Sequence, residues 1–142
     1  MIRIFLDSSV LFSAAYSPTG HSRDLLLMAA RGEIVLVISP HVVMETRRNL
    51  TESAPDTIPY LELLFDTIPF EYIKPAKRDV LSAAKHVALK DAPIIAAAKK
   101  ARVDFLVTLD KKHLLGRPKL ASYVGTKIVA PGAAVEFFRS TN

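Results

Sequence analysis

The sequence predicts an α/β fold of three layers, with a mainly parallel central sheet flanked by helices. Two observations lead there. Residues 2–6 and 34–38 are short, β-branched runs that are apolar on both faces, as strands buried inside a parallel sheet must be. Helix-periodic stretches alternate with such runs, and strand–helix alternation calls for parallel strands joined by helical crossovers. Right-handed crossovers limit the strand orders without selecting one.

The elements follow in chain order. After the first strand, residues 10–16 begin a helix that Ser17-Pro18-Thr19-Gly20 interrupts. Ser22 is placed to cap a second helix that stops at Gly32. Ser39 followed by Pro40 is a strong start signal for a helix over residues 40–51, because proline fits the first helical position. Ser53-Ala54-Pro55-Asp56 is a break before a helix over 58–65, and residues 70–73 form a short third strand. Residues 76–89 are helical, with Val80, Ala83, Ala84 and Val87 on one face. Asp91 caps a helix over 92–101, with Pro93 tolerated in its first turn. Residues 104–107 and 127–130 are the fourth and fifth strands, Lys111 to Leu115 a short helix, and Pro131 opens a closing helix.

A chain of 142 residues, half of them hydrophobic, is large enough for one domain, residues 1–142, with a real core. Its longest apolar runs fall far short of the roughly 18 residues of a membrane span. The absence of cysteine excludes disulfides and thiolate metal sites, and Met1-Ile2-Arg3 leads straight into a strand without a leader pattern. A cytoplasmic protein without membrane attachment is the expectation. The net charge of +5 is unevenly spread. Residues 1–73 carry five basic and nine acidic side chains, whereas residues 74–142 carry fourteen and five. The basic residues crowd into Lys74/Lys77/Arg78, Lys99/Lys100/Arg102, Lys111/Lys112/His113 and Arg117/Lys119. Singly these are solvated faces; together they suit a polyanion, since phosphate contacts supply most sequence-independent nucleic-acid affinity.

Four acids stand where the chain passes between strand and helix. Asp7 closes the first strand, Glu45 lies about two turns beyond the second, Asp91 opens a helix and Asp110 follows the fourth strand. Acids at the carboxyl ends of parallel strands share one crevice. Two carboxylates ~4 Å apart repel by about 4 kcal/mol at an effective dielectric of about 20, so a cluster calls for protonation, separation or cations. Mg²⁺ and Mn²⁺ suit such oxygen-rich sites, and a pair of such ions can activate water and orient a phosphodiester, so the four acids are apt for metal-assisted phosphodiester hydrolysis. Each acid also has an ordinary role. Asp7, Asp91 and Asp110 are good helix caps, and Glu45 fits a solvent-facing helix position.

Four segments carry a resemblance. Ile4-Phe5-Leu6-Asp7-Ser8-Ser9-Val10-Leu11, Pro40-His41-Val42-Val43-Met44-Glu45, Asp91-Ala92-Pro93-Ile94-Ile95-Ala96-Ala97-Ala98 and Asp104-Phe105-Leu106-Val107-Thr108-Leu109-Asp110 resemble, in order, the signature segments of PIN-domain ribonucleases. The branch most resembled is the VapC-like toxins of toxin–antitoxin systems. The resemblance implies a PIN-like fold that binds Mg²⁺ or Mn²⁺ through Asp7, Glu45, Asp91 and Asp110 and cleaves RNA. It also implies a small antitoxin and a homodimer. Asp7 would be the central ligand, Glu45 would hold a metal or position water, and Thr108 would brace the site by hydrogen bonding, with Ser8 a lesser candidate.

Two departures bear on the metal. Ser9 stands where many members carry an asparagine whose amide braces the site, and Lys111 and Lys112 stand where many carry a further acid. His21, His41, His86 and His113 share no metal-ligand spacing and are expected in structural or surface roles, His113 being nearest the acids. Arg47 and Arg48 are expected to be solvated, and Asp104 to begin a strand. A response-regulator receiver is excluded, because Asp7 has no adjacent acid and no phosphoacceptor aspartate follows the third strand. The rival readings are a housekeeping RNA-processing nuclease and an inactive module that binds RNA or a partner.

Overall fold

A computed structural model describes residues 1–141. Five parallel strands form one sheet in the order β3-β2-β1-β4-β5, where β1 is Arg3–Leu6, β2 Val35–Ile38, β3 Glu71–Tyr72, β4 Phe105–Val107 and β5 Lys127–Val129. Among the described residues eight α-helices flank it: α1 Ser8–Tyr16, α2 His21–Ala30, α3 Pro40–Ser53, α4 Ile58–Thr67, α5 Lys77–Ala83, α6 Ala92–Ala101, α7 Pro118–Val124 and α8 Pro131–Thr141. The α/β class and the parallel sheet are as expected. From β1 the chain steps one way to β2 and β3, then crosses back to β4 and β5 on the other side. With right-handed crossovers those two legs put their helices on opposite faces. Accordingly α1, α2 and α8 pack together, and α5, α6 and α7 form a second group.

The core explains the strand composition. Ile4, Phe5, Leu6, Leu36, Ile38, Leu106 and Val107 are buried in the sheet, beneath Leu11, Leu25, Leu26 and Leu50 from one set of helices and Ile95 from α6. Helix α6 buries Ala96, Ala97 and Ala98 in succession, so its small side chains let it lie close against its neighbours.

Several start and stop signals act as expected. Ser39 caps α3 by accepting from the Val42 amide at 3.2 Å, with Pro40 at the first position. Because Ser39 is fully buried, Ser39→Ala is expected to cost about 1 kcal/mol of stability, measured by urea unfolding. Others fail. Ser22 does not cap α2, which begins two residues earlier than that cap would place it, after Gly20, a glycine at φ +100 that offers no side-chain cap. Ser22 is instead buried within the helix.

The helix expected over 76–89 stops at Ala83. Lys85 and His86 make tight bonds back to the Ser82 and Ala83 carbonyls, the His86 ring stacks on Tyr123 at 3.8 Å, and Arg117 takes the His86 carbonyl. Tertiary contacts overrode helical periodicity there. Residues 111–116 are turns rather than a helix. Helix α7 was not foreseen, although Pro118 at its start, the Leu120/Val124 spacing and Gly125 at φ +84 past its end are ordinary signals. The third strand is only Glu71–Tyr72, and α3 runs two residues past its expected end.

Candidate metal centre

The strand order reverses at β1, so the crevice beyond the carboxyl ends of β1 and β4 is where a ligand is expected. Asp7 lies there, 7% exposed, with its amide bonded to the Val107 carbonyl. Its Oδ2 accepts from the Thr108 hydroxyl at 2.7 Å and the Ser9 hydroxyl at 2.9 Å. Each hydroxyl also accepts a main-chain amide from beyond β4, Asp110 N to Thr108 at 3.0 Å and Leu109 N to Ser9 at 3.1 Å. Two hydroxyls thus clamp the end of β1 to the segment after β4. Ser9 therefore braces Asp7 itself, in place of the missing amide. Asp7 Oδ1 accepts from the Ser8 amide at 2.8 Å, which caps α1. Both lone pairs of Oδ2 are committed, so Oδ1 is the oxygen left to face a ligand.

Glu45 is joined to this cluster through Ser8, whose hydroxyl lies 2.9 Å from Glu45 Oε1 and 3.4 Å from Asp7 Oδ1. One proton cannot serve both, and the shorter contact takes it. Glu45 is thus no solvent-facing residue; its side chain is 21% exposed, between His41 and Arg48. His41 Nε2 is 3.3 Å from Glu45 Oε1 yet buried without a hydrogen bond.

The other two acids form a second group. Asp110 Oδ1 accepts from the Lys112 and His113 amides at 3.0 and 2.9 Å, which turns the chain so that His113 Nδ1 lies 3.2 Å from Asp110 Oδ2. Asp91 occupies the position before α6 but accepts no bond from the helix amides, contrary to the expected cap. Its Oδ2 is buried without a partner. Ligand atoms of Asp91, Asp110 and His113 all lie within 4.8 Å of one another. Asp7 and Glu45 stand outside that trio; Thr108 ties Asp7 to Asp110, and Ser8 ties Glu45 to Asp7. A buried carboxylate oxygen with no donor is costly unless something supplies positive charge, so the donor set fits a divalent cation.

A family model for the PIN domain matches residues 3–112. The chain belongs to the PIN-domain family. Members of that family are nucleases. No curated protein matches the chain by sequence. Among solved structures, PAE2754 from Pyrobaculum aerophilum is similar with a TM-score of 0.65 and 18% identity, covering 95% of this chain and 94% of that one. VapBC2 from Rickettsia felis, solved bound to a DNA fragment from their promoter, reaches 0.57 at 14% identity over 78% and 90%. VapC20 from Mycobacterium tuberculosis, a Sarcin-Ricin loop cleaving toxin, reaches 0.56 at 15% over 77% and 91%. At these identities the likeness is one of fold.

The electrostatics of this PIN domain separate the acids. Burial pushes the Asp7 carboxyl above its usual range, partly offset by the bonds from Thr108, Ser9 and Ser8, and Glu45 raises it further. Burial also raises Asp91; Lys90 and His113 oppose this, and the charges on Asp110 and Asp7 add to it. Burial acts upward on Asp110 too, but the bonds and charge of His113 and the Lys112 amide outweigh it and hold that carboxyl low. Asp7 and Asp91 are thus the acids that gain most from an added cation.

Residues outside the acids also fall into place. Arg47 is not free but paired with Glu62 at 2.6 and 2.8 Å. Asp104 accepts from the Arg3 amide at the start of the β1–β4 pairing, as expected of a strand-entry residue. Arg78, Lys99, Lys100 and Arg102 converge with Tyr123 on a cleft of about 740 Å³ at the far end of α6 from Asp91. Among the described residues no helix is long and apolar enough to cross a membrane.

Proposed function

We propose that the chain is a divalent-metal-dependent endoribonuclease, the toxin of a toxin–antitoxin pair, with Asp7, Glu45, Asp91 and Asp110 holding Mg²⁺ or Mn²⁺. The observation that carries this reading is the grouping of Asp91, which has a buried and unpartnered Oδ2, with Asp110 and His113, in a crevice whose other acid, Asp7, is raised by burial above its usual range. An ion bound there supplies a water of lowered pKa and a positive centre for a phosphodiester oxygen. The side chains do the rest. Thr108 and Ser9 hold Asp7 Oδ2, so that Oδ1 faces the crevice in one orientation. Ser8 holds Glu45 beside Asp7, where its second oxygen can orient a water for in-line attack. The Asp110 turn fixes the opposite wall.

The fold likeness to VapBC2 and VapC20 supports a small antitoxin as protein partner and a structured RNA loop as target. A second copy of the chain and a cytoplasmic setting belong to the same reading. The basic cleft and the exposed Lys111 and Lys112 offer sites for RNA phosphates. The test is cleavage of loop-containing RNA with Mg²⁺, Mn²⁺ or chelator. Cutting with metal and none with chelator is expected; cutting that ignores chelator overturns the reading, and no cutting with any metal favours the inactive binding module.

A further inference from the structure

The lysines that follow Asp110 do not reach the acid cluster. Lys111 and Lys112 are exposed, and the turn they form delivers the next residue, His113, to the place beside Asp110 and Asp91. We propose that His113 is itself a ligand of the divalent ion, through a ring nitrogen, and that this makes the site select first-row transition ions such as Mn²⁺ and Co²⁺ over Mg²⁺. The proposal rests on the metal-dependent reading above and adds to it the identity of a ligand and a metal preference.

The geometry suits ligation as well as it suits the ring-to-carboxylate hydrogen bond. Two neighbouring ligands of an octahedral ion with bonds of about 2.1 Å sit about 3.0 Å apart, and His113 Nδ1 lies 3.2 Å from Asp110 Oδ2. The third donor is a carboxylate oxygen of Asp91, a residue whose Oδ2 is buried with no hydrogen-bond partner. A second pair in the same molecule provides the comparison. His21 and Asp24 have the same three-residue spacing and a similar contact, 3.4 Å, but there Arg139 approaches Asp24 at 3.8 Å and supplies the balancing charge. Asp110 instead receives main-chain amides, those of Lys112 and His113, and the Lys90 charge acts on Asp91 without cancelling the upward push of burial; among the described residues the trio is the one such group.

The ring is also held for the purpose. Its main-chain amide is bound to Asp110 Oδ1, and its carbonyl accepts from Arg117, so backbone on both sides is fixed. The side chain is 34% exposed, open enough for an ion to enter from solvent. Imidazole is a soft enough donor to favour transition ions, whereas Mg²⁺ prefers oxygen and retains its waters.

The experiment is pulsed electron paramagnetic resonance on Mn²⁺-loaded protein, with titration calorimetry of Mn²⁺, Co²⁺ and Mg²⁺. Wild type is expected to show coupling of a directly bound ¹⁴N to Mn²⁺. His113→Ala and His113→Gln are expected to lose that coupling, with Mn²⁺ affinity reduced at least about tenfold and Mg²⁺ affinity changed far less. Gln keeps a hydrogen-bonding side chain toward Asp110, so loss in both variants is not a folding effect. His41→Ala should retain the coupling, which separates His113 from the histidine beside Glu45. Mn²⁺ bound without ¹⁴N coupling, or coupling that survives in His113→Ala, overturns the proposal and leaves the nuclease reading standing. Failure of wild type to bind any divalent ion overturns both.

Discussion

Asp7→Asn is expected to lower metal-dependent RNA cleavage by about 10²–10³-fold while leaving the metal-free protein at least as stable at neutral pH. The loss follows from removing the charge at the junction of β1 and α1, the scale matching deletion of one electrostatic group aimed at a reacting centre. The stability sign follows from the carboxyl being raised by burial. A carboxyl whose folded value lies above its unfolded one stabilises the fold below the ordinary carboxyl range and loses that contribution as pH rises through the raised value. Asp91 acts in the same sense and Asp110 in the opposite one. Thermal melts in chelator at pH 4 and pH 7 should therefore favour the variant more at the higher pH. Metal at 100 times its dissociation constant should stabilise wild type by about 2.7 kcal/mol and the variant far less. A variant that cuts RNA and melts with metal like wild type would remove Asp7 from the site.

Thr108→Val is expected to weaken metal affinity about 10- to 100-fold and to cost about 1–3 kcal/mol of stability. Thr108 is fully buried, and its hydroxyl does two things at once, donating to Asp7 Oδ2 and accepting from the Asp110 amide. Valine keeps the shape and removes both. Asp7 then loses the bond that most favours its charged form, and the half-buried Asp110 amide loses its acceptor. Thr108→Ser restores the hydroxyl and should recover most of the affinity, which separates hydrogen bonding from packing. Metal titration and urea unfolding of the three proteins give the two readouts. A Val variant that binds metal like wild type would sink the bracing role.

The strands were legible in the sequence because their cause is local. Runs such as Ile4-Phe5-Leu6 and Val35-Leu36-Val37-Ile38 are apolar on both faces only when both faces are covered. Ser39 was readable for the same reason, since a cap acts within its own turn. The length of α5 was not, because its end is set by Tyr123 and Arg117, far along the chain. Within the crevice, Asp7 and Thr108 were legible as residue types in a pattern. What a pattern cannot state is which oxygen is left open or whether Asp91 spends its carboxylate on a cap. It also hid Ser9, judged by what it lacks rather than by the hydroxyl it offers. The one signal that pointed to His113 was its position three residues past Asp110, which becomes informative only once those residues are a turn.

The clamp between Asp7 and Thr108 joins residues 101 apart in sequence. A polypeptide leaving the ribosome amino end first exposes Asp7 early, yet its link to Thr108 cannot form until β4 has emerged and paired with β1. Through most of synthesis the nascent chain therefore lacks the joined crevice, because Asp91 and Asp110 have still to emerge. The crevice is thus a late product of biosynthesis, absent from every amino-terminal fragment that ends before β4.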